Sequence, residues 1–520
     1  MIFRAPEGNV AIPETGLTQF LLERIPGREK RPALIDGPTG RVLTYGEWAE
    51  SVRRVAAGLA SRGFRKGDVF AIFSPNVPEY AVVFHAVSLI GGVNTTINPL
   101  YTPAEVAQQL RDCSAKYLIT VPPCAERALE AVRDTTVREV FVFGEAPGTT
   151  PFSALLGDGE PPDVPIDPRE DLVALPYSSG TTGLPKGVML THHNLVANLL
   201  QACGVVSQGE DDTILGVLPF FHIYGMTVIM NLGLYQGVTI VTMPRFDLEQ
   251  CLTICEKYRV TFANVVPPIV LALAKHPLVD RFDLSRLRIV FSGAAPLGES
   301  LALAASTRLK CAVIQGYGLT ETSPVSHGKR LGAASQKLAS IGPPVPNTEC
   351  KIIDTVTGAE LGPMQQGEIC IRGPQVMKGY LNQPEATRAM IDADGWLHSG
   401  DIGYADADGD FFVVDRLKEL IKYKGLQIAP AELEATLLTH PSVADAAVIP
   451  VADEEAGEVP KGFVVLKSEA TADQIMAYVA ERVAPYKKLR AIQIVEQIPK
   501  SPSGKILRRV LVDRERLSGV

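Results

Sequence analysis

The sequence predicts an α/β protein, and three observations carry that prediction. Strand-like and helix-like hydrophobic periodicities alternate through the first third of the chain and again after residue 188, which implies parallel sheets covered by helices. Between residues 343 and 415 the helical pattern fades into short strand-like runs separated by Gly, Pro and Asp, the mark of a small β-rich subdomain. At residues 415–427 charge density rises sharply, and a compact α/β unit of about 100 residues follows. A chain of 520 residues, 46% of them hydrophobic, can fill the large core that such an architecture needs.

In chain order, residues 68–74 read as a strand, 80–90 as a helix, and 103–113 as a helix with Thr102 as N-cap. Residues 116–121 then read as a strand and 124–133 as a helix. Pro, Gly and Asp accumulate at 147–169, which predicts a linker between subdomains. Buried strands are predicted at 238–243, 261–265, 287–291 and 311–315. Residues 214–243 carry no Asp, Glu, Lys or Arg, but Pro219, Gly225, Asn231, Gly233, Gln236 and Gly237 break the run, so no stable membrane insertion is expected.

The net charge is −8 with no block of like charge, which speaks against nucleic acid or an anionic membrane as main partner. Eight cysteines without a CxxC pair predict reduced, mostly buried thiols and a cytoplasmic protein. No signal peptide is apparent, and Leu-Ser-Gly-Val at the end is not a peroxisomal address.

Chemistry concentrates at residues 177–189, YSSGTTGLPKGVM. Three glycines, four hydroxyls and Lys186 fall within ten residues from Ser178, a pliable, donor-rich loop suited to phosphate oxygens. It is not a Walker A loop, since Pro185 precedes Lys186 and no Ser or Thr follows it. Further motifs follow predicted strands, where open α/β sheets bind ligands. They are LPFFHIYG at 218–225, SGAAP at 292–296 and QGYGLTE at 315–321. Small residues in the second let a flat ring approach the backbone, and Tyr317 in the third offers it an aromatic face. HSGDIG at 398–403 supplies Asp401, whose carboxylate suits a vicinal diol. DADGD at 406–410 reads as an Asp-Gly hairpin turn; as a calcium loop it fails, because Tyr404 occupies the first ligand position and no Glu closes it. There is no HExxH.

The order SSGTTGLPKGV, read with these motifs, resembles the adenylate-forming enzymes: acyl-CoA synthetases, adenylation domains of peptide synthetases and beetle luciferases. The resemblance runs from about residue 43 to about residue 511 and is closest to 4-coumarate:CoA ligases and their fatty-acyl relatives. It implies a large N-terminal domain of doubly wound sheets plus a small β-rich subdomain, with a small mobile C-terminal α/β domain. The corresponding divisions are 1–415, with subdomains about 1–165, 166–342 and 343–415, and 416–520. Within 214–243 it implies a strand, a buried helix and another strand.

Residue by residue, the resemblance assigns the nucleotide's phosphates to Ser178, Ser179, Gly180, Thr181, Thr182, Gly183 and Lys186. Adenine falls to Gly293, Ala294, Ala295, Pro296, Gln315, Gly316, Tyr317 and Gly318. Thr320 would meet the α-phosphate, Glu321 would bind Mg²⁺, and Asp401 and Arg416 would hold ribose. Lys505, in SPSGKIL, would enter the site for adenylation, and Lys422 would serve thioester formation after the C-terminal domain turns about Lys418. Lys424, Gly425 and Leu426 would line the pantetheine tunnel of CoA, and Gln427 would lie beside both the tunnel and AMP. His222 would position the carboxylate or assist the thioester step, by hydrogen bonding or by moving a proton. His222, Ile223, Tyr224, Gly293, Gly316, Gly318, Pro324 and Val325 would form the acyl pocket.

The implied activity is ligation of a carboxylic acid to CoA through an acyl-adenylate, with ATP as co-substrate, by a monomer or homodimer. Tyr224 favours a hydroxycinnamate such as 4-coumarate. Gly225 and TSPVSH at 322–327 depart from the plant ligase pattern, which keeps fatty acids, a luciferase-like oxygenase or carrier-protein loading as alternatives.

Overall fold

The computed structural model describes residues 1–178, 185–329, 337–417, 419–423, 426–453, 456–501 and 504–518, the side chains of 426–427 and 517–518 excepted. Two eight-stranded sheets, both mostly parallel, form its body. In the first, Val69–Phe73 pairs on one side with Val93–Ile97 and on the other with Tyr117–Thr120, so the strand order reverses at Val69–Phe73. In the second, Thr213–Gly216 pairs with both Thr239–Thr242 and Phe262–Val265, which sets the reversal there. The α/β prediction therefore holds. The strands predicted at 116–121 and 261–265 appear as Tyr117–Thr120 and Phe262–Val265, and the helix at 80–90 begins two residues earlier, as Pro78–Leu89.

Helix Pro78–Leu89 contacts strands of both sheets and is apolar all round, with Tyr80, Phe84 and Val87 buried. A helix buried on every face shows no amphipathic stripe, which explains why only its length and apolarity were legible. Helix Pro103–Cys113 starts as predicted: Thr102 Oγ1 accepts from the Glu105 amide while the Glu105 carboxylate accepts from the Thr102 amide. Losing such a cap costs about 1 kcal/mol. The predicted linker contains a short edge strand, Thr150–Pro151, and a 3₁₀ turn, Phe152–Leu155. That turn lies so close to helix Tyr45–Ser61 that a Cβ on Gly58 would stand 1.9 Å from the Leu155 carbonyl oxygen.

The charge-free run contains strand Thr213–Gly216, a wide-wound π-helical segment Gly225–Asn231 continuing as helix Leu232–Gln236, and strand Thr239–Thr242. Among the described residues, no helix is long and apolar enough to cross a membrane. All eight cysteines are free, and only Cys203 is partly exposed.

A five-stranded antiparallel sheet holds Gly367–Arg372, Leu397–Ala405 and Phe411–Arg416. The turn at 406–410 joins the last two strands, with Gly409 at φ +85°. A fourth sheet, built on Val443–Asp453 and Gly457–Leu466, has its own core of Ile421, Leu433, Leu437, Val448, Val464 and Ile475.

Candidate active site

The two strand-order reversals face each other. Asn76, just beyond Val69–Phe73, donates its amide to the Gly216 and Leu218 carbonyls at 2.9 and 2.8 Å and accepts from the Phe220 amide at 2.7 Å. Thr96, near the end of the neighbouring strand Val93–Ile97, donates to the Phe221 carbonyl at 2.7 Å. The segment leading to His222 is thus laced to the carboxyl ends of the other sheet. A carboxyl-end crevice at a reversal is where such sheets bind ligands. Neither Asn76 nor Thr96 carries a motif, so sequence reasoning missed both.

Strands Leu172–Ser178 and Lys186–Thr191 form an antiparallel pair in which Ser178 lies opposite Lys186. Residues 179–183 of the phosphate-loop assignment, from Ser179 to Gly183, fall outside the described residues, but both ends of the loop are placed. Ser178 Oγ donates to Glu321 Oε1 at 3.0 Å, and the Tyr380 hydroxyl donates to the same oxygen at 2.8 Å. Glu321 is buried, and among the described residues its Oε2 has no hydrogen-bond partner. Lys186 Nζ stands 5.0 Å from the centre of the Tyr380 ring. Tyr380, also unforeseen, ties loop end and carboxylate together.

The adenine assignment falls on the exits of strands Ile289–Ser292 and Ala312–Gly318, the latter running three residues beyond its predicted end. Ala294 has φ +68°, a left-handed conformation that L-residues adopt only at a cost; Ala294 and Pro296 are exposed and Ala295 half-buried. Gln315 bonds Leu297 through both its amide and its carbonyl, at 3.0 and 3.1 Å, and also reaches the Leu338 carbonyl at 2.5 Å. Its side chain therefore braces the turn instead of standing free for a ligand. Gly316 and Gly318 are required by packing inside the protein. A Cβ on Gly316 would meet the Phe291 ring at 2.4 Å, and one on Gly318 would meet the Pro324 carbonyl oxygen at 1.8 Å.

Tyr317 and Asp401, far apart in sequence, meet: the phenol donates to Asp401 Oδ2 at 2.6 Å, and Arg416 Nε lies 3.3 Å from Oδ1. Burial raises the Asp401 pKa, and the Arg416 charge and the Tyr317 hydrogen bond oppose that rise. Lys505 enters the same field. Burial pushes its ammonium down to about 8, Arg416 adds to the shift, and Glu419 and Asp401 oppose it. Its turn is docked: Gly504, at φ +77°, leaves so little room that a Cβ would stand 3.0 Å from Val266 Cγ2 and 3.3 Å from Pro268. Behind it, Arg508 holds both Glu434 oxygens, at 2.8 and 2.7 Å, and pairs with Glu419.

His222 Nδ1 accepts the Tyr224 amide at 3.2 Å, so the neutral ring carries its proton on Nε2. Burial, and then the Lys505 charge, hold its pKa down at about 4. The ring is a neutral hydrogen-bond donor near pH 7. With Ile223, Tyr177, Tyr101 and Thr320 it lines a cavity of about 40 Å³. The Thr320 hydroxyl has no hydrogen-bond partner among the described residues. The buried Tyr224 hydroxyl donates to the Phe291 carbonyl at 3.1 Å, and its ring would be 2.8 Å from a Cβ on Gly293. Val325 exchanges two hydrogen bonds with Asn198, at 3.0 and 2.7 Å, and the Pro324 carbonyl accepts from Leu319 and Thr322 at 3.2 and 2.5 Å.

Lys422 is not brought to this cluster. It lies exposed on strand Ile421–Tyr423, its amide donating to Glu458 at 2.7 Å. Lys418, Lys424 and Gly425, and the side chains of Leu426 and Gln427, lie outside the described residues.

The sequence profile of AMP-binding enzymes matches residues 22–381, and that of the AMP-binding enzyme C-terminal domain matches 432–505. Among curated proteins, 4-coumarate–CoA ligase 1 of Solanum tuberosum is 46% identical over 100% of this chain and 97% of its own. 4-coumarate–CoA ligase 5 of Oryza sativa subsp. japonica is 47% identical, covering 98% of this chain and 96% of its own. The solved structure of the anthranilate CoA ligase AuaEII with anthranoyl-AMP superposes with a TM-score of 0.89 at 27% identity, over 98% of this chain and 99% of that one. With both profiles matched in order and full-length relatives at this identity, the chain belongs to the AMP-binding enzyme family.

Proposed function

We propose that this chain is a hydroxycinnamate:CoA ligase, converting an acid such as 4-coumarate, with ATP and CoA, into the CoA thioester, AMP and pyrophosphate. Ligation of an acid to CoA through an acyl-adenylate is the chemistry of this family and its relatives. Tyr224 carries the choice of acid. Its hydroxyl proton is committed to the Phe291 carbonyl, and burial raises its pKa, so the neutral phenol presents its oxygen only as an acceptor. A ring hydroxyl on the substrate is the complementary donor.

A carboxylate is a poor acyl donor, because its charge repels nucleophiles and oxide is a poor leaving group. In the first step a carboxylate oxygen bonds to the α-phosphorus of ATP, pyrophosphate leaves, and the acyl group gains AMP as its leaving group. Negative charge gathers on the α-phosphate in that step, where the Lys505 ammonium and the Thr320 hydroxyl meet it. Asp401 holds the ribose diol, and the neutral His222 donates from Nε2 to the reacting carboxylate. In the second step the CoA sulfur, its proton lost to solvent, bonds to the carbonyl carbon and AMP departs. Lys422 serves this step after rotation about Lys418, which brings Lys424, Gly425, Leu426 and Gln427 to the pantetheine.

Glu321 fits a magnesium ion: a buried carboxylate with one oxygen held by two hydroxyls and the other without a described partner is a fixed, hard ligand. Bound there, Mg²⁺ would neutralise phosphate charge. The free, buried thiols support a cytoplasmic setting.

Pyrophosphate release, measured over hydroxycinnamates, benzoates and fatty acids with and without CoA, tests the reading. The highest kcat/KM is expected for 4-coumarate, with turnover dependent on CoA. In Tyr224→Phe the preference for 4-coumarate over unsubstituted cinnamate should fall about fivefold, the worth of one hydrogen bond of about 1 kcal/mol. Preference for fatty acids reassigns the substrate, and indifference to CoA removes the ligase assignment.

A further inference from the structure

The motif that supplies Asp401 begins with His398, which the proposed chemistry leaves unused. His398 lies directly opposite Cys370 across strands Leu397–Ala405 and Gly367–Arg372, and Glu368, two residues from Cys370, shares its face. His398 Nδ1 stands 3.1 Å from Glu368 Oε2 and 3.7 Å from Cys370 Sγ, and the three potential ligand atoms lie within 4.8 Å of one another. Its other ring nitrogen, Nε2, is 3.5 Å from Asp392 Oδ2.

Two carboxylates and a thiol therefore surround one imidazole, a mixed N/O/S set of potential metal ligands. We propose that Glu368, Cys370 and His398 form a binding site for a soft divalent transition-metal ion such as Zn²⁺, separate from the magnesium assigned to Glu321. Ligand lengths of about 2.3 Å for sulfur and about 2.0–2.2 Å for nitrogen and oxygen put tetrahedral corners roughly 3.3–3.6 Å apart. The two spacings from His398 Nδ1, 3.1 and 3.7 Å, bracket that range, and the Glu368 and Cys370 ligand atoms, within 4.8 Å of each other, can draw in to close the third edge. Cys370 is fully buried and the Glu368 side chain 13% exposed, while His398, 30% exposed, leaves an entry path.

The supporting groups are also in place. Asp392 is fixed by the Asp394 and Trp396 amides, both at 2.9 Å, and so holds the far side of the imidazole as carboxylates do behind metal-bound histidines. Glu368 Oε1 accepts the Gly400 amide at 2.9 Å. One residue further is Asp401, so an ion here would be tied through Glu368 and Gly400 to the ribose carboxylate. Burial pushes the Cys370 thiol up to about 12, Lys351 opposing, and binding must release that proton to solvent.

Cobalt is the probe, because a thiolate bound to Co²⁺ absorbs in the near ultraviolet. Full-length protein freed of metal by chelator is titrated with Co²⁺. A sulfur-to-cobalt band saturating at a single equivalent, and displaced by Zn²⁺ but not by Mg²⁺, is expected. Cys370→Ser should abolish the band, and Asp392→Asn should keep it while weakening affinity about 10- to 100-fold. If Cys370→Ser folds poorly, His398→Gln at the partly exposed position must lose stoichiometric binding. No band in the wild-type protein, a band surviving in Cys370→Ser, or unchanged affinity in His398→Gln overturns the site.

Discussion

Two lysine-bearing segments of the C-terminal unit stand in opposite situations. The turn holding Lys505 is pressed against Val266 and Pro268 and exposes its ammonium to the charges of Asp401, Arg416 and Glu419. Lys422, on strand Ile421–Tyr423, faces solvent. Both belong to the same small sheet unit, and Arg508 binds the beginning of helix Arg508–Ser518 to Glu419 and Glu434 within it. A unit that docks the face carrying Lys505 leaves Lys422 outside the cluster. Under the proposed function this contrast gives each half-reaction its own cation, which requires the unit to turn.

The largest break in that contrast is Lys505→Ala. Loss of one preorganised contact to a developing charge costs about 2.7–4 kcal/mol, so pyrophosphate exchange should fall by about 100- to 1000-fold. Thioester formation from supplied acyl-adenylate should persist. Lys422→Ala should show the reverse selectivity, slowing thioester formation by about tenfold with exchange intact. Equal loss of both half-reactions in either variant would contradict separate duties.

Gly504→Ala probes docking without touching a charge. Its left-handed backbone and the nearby Val266 should cost about 1–2 kcal/mol of the docked state, and exchange should slow by about tenfold while thioester formation is spared. The smallest effect is a pH profile. With Lys505 held down at about 8, the ammonium is lost as pH rises, so kcat/KM for ATP should decline through about pH 8. Lys505→Arg, whose guanidinium keeps its proton, should carry that decline to higher pH.

Much of the cluster that the structure brings together was legible because its residues lie in short motifs at strand ends, where local pattern fixes position. Asp401 and Tyr317 were each marked by their own motif. Their hydrogen bond, joining the antiparallel sheet to a parallel one, was not. What the sequence did not reveal of Gly316 and Gly318 is their packing role, since a Cβ on either would meet Phe291 or Pro324. Tyr380 and Asn76 gave no signal, because a buried tyrosine or asparagine reads the same whether it bonds a buried carboxylate or an ordinary carbonyl. Gln315 was assigned to the nucleotide from its motif, and its work of bracing Leu297 and Leu338 gave no sequence signal.

By itself the sequence determined the α/β class, the order of strands and helices, the hydroxyl-rich loop and the acidic and basic residues assigned to nucleotide chemistry. These follow from periodicity, capping and local composition, which act over a few residues. Tertiary structure alone decided which groups share a field: that His222 is neutral, that Lys505 rather than Lys422 stands beside Asp401, and that His398 has two carboxylates and a thiol around it. Electrostatics and desolvation depend on distance in space, and the chain order of residues separated by a hundred positions does not contain it.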